Sequence, residues 1–200
     1  MNRLPRDTLQ VIASFLIEPV YSLLEWIDPN NLDTGFLSTN PNAIDYLEQH
    51  PSQINWTLLN ANPHPRAIQM LEKNPHKICW SILSGNPSAI HMIEKNIDKV
   101  DWDFLSENPN AIHLIEKNNI RHWSYLSRNP NAIHLLKDNV DKIDFDRFIT
   151  NPKAMSIIKD NQHRMKRSHW ILFSKNPSIF VVDTYKTLQK AFTYACELEK

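Results

Sequence analysis

The chain has 200 residues, enough to bury roughly 70% of its unfolded surface in a core. Lysine and arginine together number 22, as do aspartate and glutamate, so the formal net charge is zero and gives no long-range attraction to nucleic acid or anionic lipid. The two glycines, Gly35 and Gly85, stand far apart, which excludes a glycine-rich phosphate loop. Cys79 and Cys196 have no ligand-like spacing, so they indicate a reducing intracellular compartment rather than a disulfide framework.

The first element is an apolar N-terminal run, residues 4–16, within a predicted helical cap over residues 1–33. The run is too short for a membrane helix, and it ends at Glu18-Pro19, so it is not typical of a signal peptide. An amphipathic helix here fits the terminal cap that a repeat array needs to cover its apolar edge.

The same run resembles the opening of an F-box, in which a Leu-Pro pair starts a helix that faces the Skp1-like subunit of a ubiquitin ligase. The resemblance implies these docking contacts: Leu4, Pro5, Leu9, Ile12, Phe15 and Leu16. The rest of the segment departs from the F-box pattern, because the later Val-Cys-x-x-Trp stretch is absent and Trp26 lies closer to the Leu-Pro pair than the tryptophan of that stretch. A plain cap and an F-box-like element therefore both remain open.

An Asn-Pro pair then recurs seven times, and it defines repeats 1 to 7 over residues 34–180. The pairs begin at Asn40, Asn62, Asn86, Asn108, Asn129, Asn151 and Asn176. Six residues before each pair stands an aromatic residue, except in repeat 1, where Thr34 takes the position. A period of roughly 22 residues predicts an all-α solenoid, because one such unit cannot bury its apolar face alone.

Each repeat is predicted to hold two short helices, which we call helix A and helix B. In repeat 4, Asp101 is a predicted N-cap for helix A, an α-helix or 3₁₀-helix from Trp102 to about Ser106. Asn108 is predicted to cap helix B, with Pro109 at its first position. Repeat 2 carries two extra residues around Pro65, which predict a local bulge in an intact array.

Three apolar positions recur with the period and form the predicted core. An alanine follows the Asn-Pro pair, and a large aliphatic residue lies four positions after that alanine. A leucine or phenylalanine lies three positions after the aromatic residue. The small position allows close approach of neighbouring helices and the large positions fill the interior.

The pattern W-x-x-L-S-x-N-P-N-A-I resembles the short Asn-Pro repeats carried by large nucleocytoplasmic DNA viruses such as mimiviruses and marseilleviruses. A looser similarity is to bacterial leucine-rich-variant repeats of alternating α- and 3₁₀-helices. These resemblances imply a helical-repeat architecture and a viral source, hence a location in the host cytoplasm or the virion. After the array, residues 181–200 are predicted to form a C-terminal capping helix.

Polar positions offer several candidate sites. His91, His113 and His134 share one position of helix B, on the side opposite the apolar stripe, and they are predicted to form an exposed ladder. Stacked helices lie roughly 8–10 Å apart, which disfavours a shared metal ion. The tryptophans are predicted to pack in the interior rather than to form a platform for single-stranded nucleic acid. A basic cluster ahead of His169, formed by His163, Arg164, Lys166 and Arg167, is predicted to lie in a solvated loop.

The recurring Glu48, Glu72, Glu94 and Glu116 are predicted to form an exposed face, and no motif for catalysis or a cofactor is present in the sequence. We therefore expect a non-enzymatic protein-interaction scaffold without cofactor, metal or membrane partner. Two alternatives remain open: an F-box-like adaptor for a host ubiquitin ligase, and a structural virion protein that contacts capsid proteins.

Overall fold

The computed structural model describes residues 20–179 and Lys186, and every regular element among them is helical. By their contacts these residues fall into two compact units, one up to Leu105 and the other from Ser106. The prediction of an all-helical chain is confirmed for this part, whereas one solenoid of seven repeats stays a prediction. The predicted C-terminal capping helix, apart from Lys186, lies outside the described residues, as do residues 1–19 of the predicted N-terminal cap.

The first unit contains helices A and B of repeats 1 to 3 and the start of repeat 4. Its α-helices are Thr34–Thr39, Ile44–Gln49, Trp56–Leu59, Pro65–Lys73, Trp80–Ser84, Ile90–Lys95 and Trp102–Glu107, and the division between the units falls within the last. Its 3₁₀-helices are Pro29–Asn31, Pro41–Ala43, Pro51–Gln53, Pro75–Lys77 and Pro87–Ala89. Residues 20–33 of the predicted cap hold only the short helix Pro29–Asn31.

The second unit continues the same alternation. Its α-helices are Ile112–Lys117, Trp123–Leu126, Ile133–Lys137, Phe145–Phe148, Met155–Asp160 and Arg167–Phe173. Its 3₁₀-helices are Pro109–Ala111, Val140–Lys142, Gln162–Arg164 and Pro177–Ile179. These α-helices span two turns or less, so packing rather than intrinsic helix propensity must stabilise them.

The Asn-Pro pair ends helix A and starts the next helix. In repeat 3, Asn86 has φ −81° and ψ 117°, the extended conformation that a following proline favours and that an N-cap requires. Its side chain accepts a hydrogen bond from Ser88 N–H, and the 3₁₀-helix Pro87–Ala89 follows before helix B begins at Ile90. Helix B was predicted to start at the proline, but a 3₁₀ turn occupies that position.

Repeat 2 accommodates its two extra residues by lengthening helix B. His64 replaces asparagine as the N-cap, and its ring nitrogen accepts from Arg66 N–H. Pro65 is then the first residue of a nine-residue α-helix, without a preceding 3₁₀ turn. Asn62 keeps the contacts that its counterparts make in other repeats.

The asparagine of the pair is also the polar link between consecutive repeats, a role that its N-cap position alone does not reveal. The Nδ2 group of Asn86 donates to the carbonyls of Asn60 and Asn62, each at 2.8 Å. Both amide hydrogens and the acceptor oxygen of this buried side chain are therefore used. The same pair of donated bonds recurs at Asn62, Asn129, Asn151 and Asn176.

A second buried polar position lies two residues before that asparagine. Ser84 accepts a hydrogen bond from Asp101 N–H at 3.0 Å and donates to the carbonyl of Trp80 at 2.6 Å. Ser127 makes the equivalent bonds to Asp144 N–H and to the carbonyl of Trp123. This hydroxyl thus links the end of one helix A to the cap of the next.

The predicted apolar core is confirmed by burial. The alanine position is at most 7% exposed, and the large aliphatic position of helix B at most 2%. These two positions comprise Ala43, Ala67, Ala89, Ala111, Ala132 and Ala154, and Leu47, Leu71, Ile93, Ile115, Leu136 and Ile158. In helix A, Leu59, Leu83, Leu105, Leu126 and Phe148 are fully buried, Phe173 is 9% exposed, and Leu37 of repeat 1 is half-buried. Among the described residues, no buried side-chain nitrogen or oxygen lacks a hydrogen-bond partner.

We predict that Asn86→Ala lowers the free energy of unfolding by on the order of 3 kcal/mol, because two buried carbonyls and one N–H lose their partner. Asn86→Asp should destabilise at least as much, since a carboxylate cannot donate to the carbonyls of Asn60 and Asn62. Urea denaturation followed by circular dichroism measures the change. Asn42→Ala, at an exposed position of the equivalent turn in repeat 1, is the control and is expected within about 0.5 kcal/mol of wild type. Equal effects of Asn86→Ala and Asn42→Ala would contradict the structural role of Asn86.

Candidate interaction surfaces

The candidate docking residues at the N-terminus lie outside the described residues. These are Leu4, Pro5, Leu9, Ile12, Phe15 and Leu16. The chain that follows them contacts repeat 1, where Tyr21 N–H donates to the Asp45 carboxylate at 3.1 Å. Val20, Tyr21, Leu24 and Trp26 keep exposed side chains next to this contact.

The histidine ladder is exposed, as predicted, but its members pair with carboxylates instead of standing alone. His91 Nε2 lies 2.8 Å from Glu72 Oε1, and His134 Nε2 lies 2.6 Å from Glu116 Oε1. His113 is exposed as well. Both of these pairs join helix B of one repeat to helix B of the preceding repeat. Exposed ion pairs of this kind contribute at most about 1 kcal/mol.

Asp45 occupies the histidine position in repeat 1, yet it is only 8% exposed. Arg66 Nη1 donates to its carboxylate at 2.7 Å, and the same guanidinium also pairs with Glu48. The hydrogen bond from Arg66, together with that from Tyr21 N–H, lowers the pKa of Asp45. The bonds to Glu48 and to Asp45 raise the pKa of Arg66, which therefore stays charged. Unlike the three histidines, Asp45 is therefore buried, and its carboxylate is bonded to Arg66 and to the backbone of Tyr21.

Two equivalent clefts lie at consecutive repeats of the first unit. The cleft at Trp56 has a volume of about 560 Å³, and the cleft at Trp80 about 330 Å³. Seven residues of each cleft occupy equivalent positions of the repeat and are of the same residue type. With the residue of the Trp56 cleft first, the pairs are Glu48 and Glu72, Pro51 and Pro75, Ile54 and Ile78, Trp56 and Trp80, Met70 and Met92, Lys73 and Lys95, and Asn74 and Asn96. The sequence pattern does not reveal the clefts, because each is lined by residues of two repeats.

The tryptophans of the repeats are not fully interior: Trp170 is 46% exposed, and the other four, Trp56, Trp80, Trp102 and Trp123, are half-buried. Lys99 places its ammonium 5.4 Å from the ring centre of Trp80, and Lys142 lies 4.9 Å from that of Trp123. Cations at this distance over an indole face are attracted by the ring's quadrupole. The prediction of interior packing therefore holds only in part, since four of the rings are half-buried and a lysine lies over the faces of two of them, Trp80 and Trp123.

The basic cluster lies in two short helices of the second unit, Gln162–Arg164 and Arg167–Phe173, and in the residues between them. Arg164 donates to the carbonyls of Val140 and Ile143, and its guanidinium covers the ring of Phe145 at 4.1 Å. His169, which follows the cluster, is only 2% exposed and pairs with Asp146 at 2.8 Å. The prediction of a loop is therefore wrong, whereas the predicted exposure holds for the other three members of the cluster, His163, Lys166 and Arg167.

A further exposed apolar position is the third residue of helix A. Phe36 is 80% exposed there, and Phe104 41%. Leu58 holds the same position in repeat 2. This face therefore offers scattered apolar side chains without a concave site.

No known protein family, curated protein or solved structure matches the chain. Within residues 20–179, no helix combines the length and apolar character that would let it cross a membrane. Nor do the described residues contain a group of three or more histidine, cysteine or acidic side chains that could hold a metal ion.

The lowered pKa of Asp45 predicts that its bond to Arg66 stabilises the fold above the ordinary carboxyl pKa and is lost as the pH falls below about 4. Thermal unfolding of wild type and Asp45→Asn should therefore differ most near neutral pH, and the difference should shrink on acidification. Arg66→Gln should remove the same pH-dependent contribution. A difference between wild type and Asp45→Asn that is independent of pH would contradict this account.

Proposed function

We propose that the chain is a non-enzymatic scaffold for protein–protein interaction, built as an α-solenoid of seven Asn-Pro repeats. The observation that carries this proposal is the pair of equivalent clefts at Trp56 and Trp80. A ligand cavity that belongs to a single reaction centre has no reason to recur with the repeat period. Recurring clefts are suited to a ligand that is itself extended, such as a segment of another protein.

The chemistry of the cleft walls supports a protein ligand. Tryptophan is enriched among the residues that dominate binding energy in protein interfaces. Methionine is flexible and polarizable, so Met70 and Met92 can adapt to different apolar side chains. Lysines at the rim add polar contacts around an apolar centre, which is the usual anatomy of an interface.

The polar residues that link the repeats are different from the residues that line the clefts, and this separation also supports a scaffold. The buried asparagines and serines make hydrogen bonds within and between repeats, so these groups are committed to stacking. The cleft positions are separate from them and are half-buried or exposed, apart from Met92 at 7% exposure. Their side chains can therefore differ between repeats without loss of the links that hold consecutive repeats together.

The proposal predicts that Met70→Glu abolishes binding of the natural partners, because a carboxylate in the apolar centre of the cleft opposes burial of an apolar side chain. Gln69→Glu introduces the same charge at the adjacent, exposed position and is the matched control. Affinity purification from the cells that naturally contain the chain, with quantitative mass spectrometry, compares the three proteins after their folding is checked by circular dichroism. Identical partner sets for wild type and Met70→Glu would refute the clefts as the binding surface.

A further inference from the structure

We infer that the clefts at Trp56 and Trp80 bind an extended acidic segment of a partner protein, with an apolar side chain at every third residue. The inference rests on the proposed function and adds the chemistry of the partner to it. Three observations carry it: the charges left unpaired around the clefts, the spacing of the clefts, and the cation that covers one indole.

Lysines without an ion pair line both clefts. Among the described residues, Lys73 and Lys95 make no ion pair, although both line a cleft. Lys77 is exposed in the 3₁₀-helix that follows helix B of repeat 2, and Lys99 lies over Trp80. The acidic groups nearby are Glu48, which pairs with Arg66, Glu72, whose carboxylate is hydrogen-bonded to the ring of His91, and the exposed Asp98. An acidic ligand can pair with the lysines of both clefts, whereas a basic ligand cannot.

The spacing of the clefts sets the period of the ligand. In the first unit, helix A of repeat 1 packs against helix A of repeat 2, so neighbouring clefts are separated by about one helix-packing distance, roughly 8–10 Å. A polyproline II segment rises 3.1 Å per residue and has three residues per turn, so every third side chain points the same way about 9 Å further along. One apolar side chain per turn therefore meets one cleft per repeat.

The rings do not favour nucleic acid, the other extended acidic polymer. Stacking of bases needs an open aromatic face, whereas Lys99 lies over the face of Trp80. The apolar residues that line the cleft together with the indole are Met92, Ile78 and Pro75, which suit an aliphatic side chain. A carboxylate of the peptide can pair with Lys99 at the rim while its apolar neighbour enters the cleft.

The charge pattern along helix B supports a ligand confined to the earlier repeats. The position of Lys73 and Lys95 is again lysine in repeat 4, at Lys117, but becomes Asp138 in repeat 5 and Asp160 in repeat 6. At the residue before it the charge is reversed as well: glutamate in repeats 2 to 4 is replaced by Lys137 in repeat 5 and Lys159 in repeat 6. An acidic segment is therefore matched to repeats 2 and 3 of the first unit, and the aspartates of repeats 5 and 6 do not offer it the same lysines.

Fluorescence anisotropy with labelled synthetic peptides tests the inference on the full chain. The probe is a repeated Leu-Glu-Pro peptide, compared with Leu-Lys-Pro and Ser-Glu-Pro peptides of equal length and with oligothymidine. Leu-Glu-Pro should bind at least about tenfold more tightly than either other peptide or the oligonucleotide, because only it supplies both the charge and the apolar side chains. The double variant Lys73→Glu/Lys95→Glu should weaken this binding at least about tenfold. The double variant Lys137→Glu/Lys159→Glu makes the same change of charge at exposed lysines of repeats 5 and 6, which line neither cleft. Its affinity for Leu-Glu-Pro should stay within about twofold of wild type.

The outcomes separate this inference from the proposed function. Equal or tighter binding of Leu-Lys-Pro or of oligothymidine overturns the acidic-peptide chemistry, as does the absence of binding by Leu-Glu-Pro. Unchanged binding of Leu-Glu-Pro to Lys73→Glu/Lys95→Glu overturns the assignment to the clefts. If Met70→Glu loses its natural partners while Leu-Glu-Pro fails to bind, the scaffold stands and the partner chemistry is wrong. If Met70→Glu keeps them, the proposed function itself fails.

Discussion

The hydrogen bonds of the buried Asn-Pro asparagine are the constraint on which the rest of the structure depends. This side chain must accept from the backbone two residues ahead and donate to two carbonyls of the preceding repeat, as Asn151 does with Lys153, Ser127 and Asn129. Aspartate lacks the donors, serine has only one, and glutamine carries an extra methylene that displaces its oxygen from the short turn. Because burying an amide without these partners costs about 1–3 kcal/mol, the residue type is fixed wherever repeats meet.

This constraint also explains which positions are free to change. The acceptors of the asparagine are backbone carbonyls, so the residue that supplies one of them can be Ser127 or Ile149 without loss of the bond. The chain can thus alter a side chain beside the link and keep the link itself. Cleft and helix-surface positions lie outside this network, and they are where Met70 and Lys73 can serve a partner. In the proposed scaffold, stability and partner recognition are therefore assigned to different residues of the same repeat.

Much of the fold could be predicted from the sequence, because apolar periodicity and capping residues are local signals. The repeat period of the apolar residues predicted that Ala89 and Ile93 lie in the core, where they are buried. The Asn-Pro pair predicted the boundary between helix A and the helix that follows it. The donor role of Asn86 could not be predicted, since its acceptors lie 24 and 26 residues earlier and are backbone groups without a sequence signature. The candidate surfaces were predicted less well for the same reason, because they depend on residues that are distant in sequence. Each cleft combines two repeats, and the buried His169 pairs with Asp146, 23 residues earlier.

The most direct test of the account is hydrogen exchange at the asparagine side-chain amides, followed by NMR on the ¹⁵N-labelled chain. In each buried asparagine, both carboxamide hydrogens are bonded to carbonyls of the preceding repeat. We therefore expect the carboxamide hydrogens of Asn62, Asn86 and Asn151 to stay protected long after those of the exposed Asn42 have exchanged. Exchange of the buried amides at the same rate as that of Asn42 would contradict it.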